Sequence, residues 1–73
     1  MGELAPGDIN QDLIGKTVTL HAPYFPSLPE RVSGTVTYVE SSEIPHMVVI
    51  QEPGAGTMNL VDIDLYQNRE IED

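Results

Sequence analysis

RVSGTVTYVE, residues 31–40, is the stretch whose reading decides the fold. Val32, Val36 and Tyr38 alternate with polar neighbours, which is the period-two signature of a strand with one face in a core. Gly34 interrupts the pattern and predicts a bulge or sharp bend, the device by which a small sheet wraps round its own core. Upstream, KTVTLHA (residues 16–22) alternates too, with Val18, Leu20 and Ala22 pointing one way and Thr17, Thr19 and His21 the other. Downstream, HMVVIQE (46–52) is a continuous apolar run, expected to be a central strand covered on both faces. PGAG (53–56) predicts a tight turn. TMNLVDIDLY (57–66) then places Val61, Ile63 and Leu65 on one face and Asp62 and Asp64 on the other, with a helix from Asn59 as the rival reading.

Ahead of these four strands, DINQDLIG (8–15) predicts a short helix. Asp8 and Gln11 form a capping box, Ile9 and Leu13 share a face, and Gly15 ends the helix at little cost. Residues 1–8 and 67–73 are expected to be flexible ends, the second acidic, with Ile71 as its only anchor. The expected architecture is a single domain of 73 residues, all-β, a small partly open barrel of SH3-like type with a short N-terminal helix. A chain this short buries only about 60% of its unfolded surface. It has no cysteine and so no disulfide to help it. A metal, an oligomer or a larger host assembly is a natural source of the missing stability.

Three cations, Lys16, Arg31 and Arg69, stand against twelve carboxylates, for a formal net charge of −9. Nucleic-acid binding draws most of its affinity from neutralising phosphates, so direct contact with DNA or RNA is not expected. An acidic surface suits solubility, a basic protein partner or a salt-rich cell interior. The opening stretch has neither the basic region nor the apolar core of a signal peptide. No run of about 18 apolar residues is present to span a membrane. The expected location is cytoplasmic.

The order of elements, a short helix leading into LIGKTVTL, a V-x-G-T-V strand, MVVI and LVDIDLY, resembles the Sm-like branch of SH3-type barrels. The spacing LIGK…P…GTV…VVI is also similar to the barrel subunit of ribonuclease P. The resemblance covers roughly residues 9–66 and implies a barrel and, by extension, a place in an RNA-processing assembly. The RNA-binding residues of Sm proteins are not matched: VESSEIPHM lacks their Asn, and VDIDLYQN lacks their Arg-Gly.

No catalytic constellation stands out. His21 and His46, the only histidines, lie at strand ends beside prolines and lack metal-ligand spacing. Ser27, Ser33, Ser41 and Ser42 belong to no nucleophile motif, and PGAG lacks the lysine and helix of a phosphate loop. No catalytic residue, metal ligand or cofactor is predicted. Asp62 and Asp64, about 7 Å apart along a strand, read as a solvated face or a docking patch for a basic partner.

HAPYFPSLPER (21–31) carries Tyr24 and Phe25, two of the four aromatic residues, inside a proline-rich connection. It contains P-x-x-P-x-Arg, a polyproline II ligand pattern. Two further readings stay open. Tyr24, Phe25 and Leu28 fold back as a plug on Val18, Val36 or Ile50, or they form an exposed lip that anchors an interface. The expected function is a non-enzymatic protein-interaction module, docking on a protein partner or on itself through Tyr24, Phe25, Leu28, Asp62 and Asp64. An acidic inhibitor that mimics nucleic acid and a subunit of an RNA-processing assembly are the alternatives.

Overall fold

The computed structural model describes residues 2–54 and 56–72. Met1 and Asp73, parts of the expected flexible ends, and Ala55 of the expected turn lie outside the described residues. Six strands form one antiparallel sheet: β1 (Gly2–Glu3), β2 (Thr17–Pro23), β3 (Arg31–Val39), β4 (Met47–Gln51), β5 (Met58–Asp62) and β6 (Tyr66–Glu72), in the order β1-β6-β2-β3-β4-β5. The protein is all-β, and the sheet does not close: β1 and β5 are its edges.

The alternating residues do what their period requires. Val18 and Leu20 of β2, Val32 and Val36 of β3, Val48 and Ile50 of β4 and Val61 of β5 are buried in one cluster. Their registers match, with Leu20 opposite Val32, Val36 opposite Ile50, and Val48 opposite Val61. Side chains paired across antiparallel strands point to the same face, so the sheet curls round a single core. Gly34 makes the curl possible. A Cβ there would lie 2.2 Å from the Gln51 carbonyl oxygen, and its φ is +157°. Only a residue without a side chain lets β3 and β4 approach so closely.

Four expectations need correction. First, residues 8–15 are not a helix. Two single 3-10 turns, Pro6–Asp8 and Gln11–Leu13, stand in its place. Asp8 and Gln11 form no capping box: Asp8 accepts from the Ala5 N–H, and the Gln11 amide crosses to the Val39 carbonyl. Asn10 is the cap, its Oδ1 accepting from the Asp12 N–H at 2.9 Å. Its extended backbone breaks the segment in two. Ile9 and Leu13 are nonetheless both buried, and Leu4 joins them.

Second, both stretches expected to be flexible ends contribute strands. Gly2–Glu3 pairs with β6, and Leu4, inside the stretch expected to be flexible, is a core residue. Residues 67–72 belong to β6, which lies between β1 and β2. Third, Tyr38 does not share a face with Val32 and Val36. The ladder to β4 shifts register between Val36 and Tyr38, so Val39 takes the inward position and Tyr38 turns outward, 50% exposed. A bulge of this kind adds one residue and reverses the facing of the rest of the strand. Fourth, β4 is covered on one side only: Val48 and Ile50 are buried while Met47, Val49 and Gln51 are partly exposed. It stands next to the edge strand, where only one face meets the core.

Candidate interaction site

Ala22, the last residue but one of β2, adopts φ 50°, a left-handed conformation rarely taken by a residue with a Cβ. The chain leaves the sheet one residue later, after Pro23. The loop beyond it carries its rings outward: Tyr24 is 62% exposed and Phe25 52%. Neither plugs the core. Leu28 is half-buried and, with His21, Pro23 and Pro26, lines an open cleft of about 630 Å³ beneath the loop. Glu30 and Arg31 form the charged rim of the same cleft.

The second predicted patch is displaced from the geometry expected of it. Asp62 ends β5, and Asp64 sits in a 3-10 turn, Ile63–Leu65, rather than farther along a strand. Asp62 caps that turn by accepting from the Asp64 N–H at 3.0 Å. The two carboxylates are therefore held by a turn, and Asp64 lies 3.5 Å from the Arg69 guanidinium of β6. Ile63, beside them, is fully buried and anchors the turn to the core.

The structure joins the two patches. The Tyr24 N–H donates to the Leu65 carbonyl, and Pro23 pairs with Tyr66 across β2 and β6. The aromatic loop thus rests on the turn that carries Asp64. Of the residues singled out in the sequence, Tyr24, Phe25, Asp62 and Asp64 share this end of the molecule, and Leu28 lies on the cleft side of the loop.

Two residues missed by sequence reasoning belong to the same end. His46, at the start of β4, places Nδ1 3.0 Å from Asp62 Oδ1 and Nε2 3.6 Å from Glu40 Oε1. Glu40 Oε1 also accepts from the backbone N–H groups of His46 and Met47, at 2.7 and 3.2 Å. The cluster closes the connection between β3 and β4 and ties it to β5. The hydrogen bond to Asp62 holds the His46 imidazole above its usual pKa, and the His46 N–H bond holds the Glu40 carboxyl below its own.

His46, Asp62 and Asp64 each offer a ligand atom within 4.8 Å of the others, a set able to take a divalent ion. Those atoms are engaged with the protein's own groups, Asp62 with the imidazole and the turn, Asp64 with Arg69. The only sequence signal for the cluster is His46 beside a proline. Its carboxylate partners come from β5 and from the far side of a loop, a pairing that no local pattern reveals. Compared with known proteins, the chain matches no family model, no curated protein and no solved structure.

Proposed function

We propose that the chain is a non-enzymatic interaction module of SH3-like small-barrel type that docks a basic protein partner. The rings of Tyr24 and Phe25 are the anchor, and Asp62 and Asp64 are the steering charge. The observation that carries this reading is the backbone hydrogen bond from Tyr24 to Leu65, which sets an exposed aromatic pair against an acidic turn. Aromatic side chains bury much area at small entropic cost and are the commonest interface anchors. Carboxylates beside them raise the encounter rate with cations and set orientation more than they add affinity. The barrel reading is supported by the meander β2–β5, by the last strand returning beside β2, and by the single 3-10 turn between β5 and β6.

The test is capture from the native host with the wild-type chain and two variants, each first shown to keep its fold by circular dichroism. Tyr24→Ala/Phe25→Ala should lose the captured partner at any salt. Asp62→Asn/Asp64→Asn should bind it more slowly and with a weaker dependence on salt. An unchanged set of captured proteins with both variants would refute the assignment.

A further inference from the structure

We infer that the free edge of β5 is a self-association surface, on which a second copy of the chain pairs two-fold and antiparallel, with Met58 opposite Leu60. The surface is distinct from the aromatic loop and does not depend on its assigned role.

The backbone of β5 shows which groups are available. The Glu52 N–H donates to the Thr57 carbonyl, and the Ile63 N–H donates to the His46 carbonyl, each at 2.8 Å. In an antiparallel ladder, hydrogen-bonded and non-hydrogen-bonded pairs alternate. With Ile50 opposite Asn59 and Val48 opposite Val61, residues 57, 59, 61 and 63 therefore turn their backbone groups toward β4. Those of Met58 and Leu60 point away from the sheet, where no strand among the described residues meets them. An uncovered edge of this kind is a template for another strand.

Proteins commonly blunt such edges with charge, proline or brevity. β5 has no proline and a single charge, Asp62 at its end, so Met58–Val61 are uncharged in a chain of net charge −9. The outward side chains reinforce the point. Met58 and Leu60 are 60% and 67% exposed. Leu60 stands opposite Val49, and Val49 opposite Tyr38, so an apolar row runs across three strands to the edge.

A two-fold centred on any residue of β5 satisfies the backbone alternation. Only centres at Leu60 and Asn59 pair both Met58 and Leu60 with β5 residues of the second copy, and the sequence chooses between these two. Centring the two-fold on Leu60 sets Met58 against the Asp62 carboxylate of the second copy. Centring it on Asn59 sets Met58 against Leu60 twice, Asn59 against Asn59, Val61 against Thr57, and Asp62 against Gly56. No like charges face each other in the second arrangement. The row Tyr38–Val49–Leu60 then continues onto Met58 of the second copy. Because each chain carries nine net negative charges, long-range repulsion opposes the pairing and salt relieves it.

Sedimentation equilibrium across a wide range of protein concentration, at low and high salt, tests the proposal. The expected result is a monomer–dimer equilibrium that shifts toward dimer as salt rises. Leu60→Lys should make the chain monomeric at every concentration, while Tyr24→Ala/Phe25→Ala leaves the dimer intact. Asn59→Cys supplies a second readout that does not depend on the fold of the lysine variant. The chain has no cysteine, and non-hydrogen-bonded pairs place Cα atoms about 4.5 Å apart, within disulfide reach. Asn59→Cys should oxidise to a covalent dimer at least tenfold faster than Ser42→Cys, an exposed position away from the edge. A chain that stays monomeric at high salt, a dimer that survives Leu60→Lys, or equal oxidation rates for the two cysteine variants would overturn the proposal.

Discussion

Two irregular segments of this chain are alike in composition and opposite in fate. Residues 4–15 and residues 22–30 each combine proline, polar residues and large apolar side chains, four in the first and three in the second. In the first, Leu4, Ile9 and Leu13 are buried in the core and only Ile14 turns outward. In the second, Tyr24 and Phe25 are largely exposed, and Leu28 is half-buried over a cleft. The core is plugged by the first segment, not by the second. What separates them is anchorage. Leu4 bonds through its N–H to the Arg69 carbonyl, Gly15 to Val36, and the Gln11 side chain to Val39, so the segment is laid across three sheet positions. The loop is bent at the left-handed Ala22, closed on itself by Ala22 to Glu30, and tied to the rest only near its base, by Tyr24 to Leu65. Apolar content alone does not say which way a loop faces; its backbone hydrogen bonds do.

The largest test of that contrast is truncation of the plug. Leu13→Ala should destabilise the fold by about 2–5 kcal/mol, read from urea unfolding, because it empties a fully buried site. Gly34→Ala strikes the frame on which both segments are mounted. The added methyl meets the Gln51 carbonyl, and a loss of about 1–3 kcal/mol by the same assay is expected. Asn10→Ala removes the cap that divides the plug into two turns and should cost about 1 kcal/mol. Tyr24→Ala/Phe25→Ala should change the unfolding free energy by no more than about 0.5 kcal/mol per site, since exposed side chains contribute little to stability. A loss comparable to that of Leu13→Ala would mean that the loop is a second plug after all.

The smallest effect is a pH dependence at the turn beneath the loop. The pKa of His46 is raised from 6.5, so its contribution to stability is fully present below about pH 6.5 and fades as pH rises through the elevated folded value. The pKa of Glu40 is lowered from 4.5, so its contribution is present above about pH 4.5 and fades as pH falls through the depressed one. The difference in unfolding midpoint between the wild type and His46→Gln should therefore be greatest between these limits and shrink above them. A difference that grows toward alkaline pH would show that the Asp62 contact does not act as drawn.

Much of the sheet is legible in the sequence because burial on one face imposes a period of two. The expected ranges 16–22, 31–40 and 46–52 fall within a residue or so of β2, β3 and β4. The stretch 57–66 reads as strand throughout, but β5 stops at Asp62, where the carboxylate caps a turn instead of continuing the alternation. β6 is invisible to hydropathy because QNREIE is largely solvent-facing. Its place is fixed by backbone pairing with β1 and β2, which leaves no mark on composition. The outward turn of Tyr38 is hidden for a related reason, since a one-residue bulge reverses the facing of a strand without changing its residues. At the candidate site, the exposed rings and the two aspartates are legible as residue types. Their adjacency, and the part played by His46 and Glu40, arise from contacts between segments far apart in the chain.

The place of β6 bears on the order in which the molecule is made. This strand pairs with both β1 and β2, so the sheet cannot be completed until residues 66–72 have been synthesised. Until then the meander β2–β5 must wait with one flank bare, and completion of the sheet depends on a pairing between distant segments, as far apart as Thr17 and Glu72. Non-local closure of this kind is slow relative to hairpin formation, which makes the newly made chain most vulnerable to misassociation just before β6 emerges.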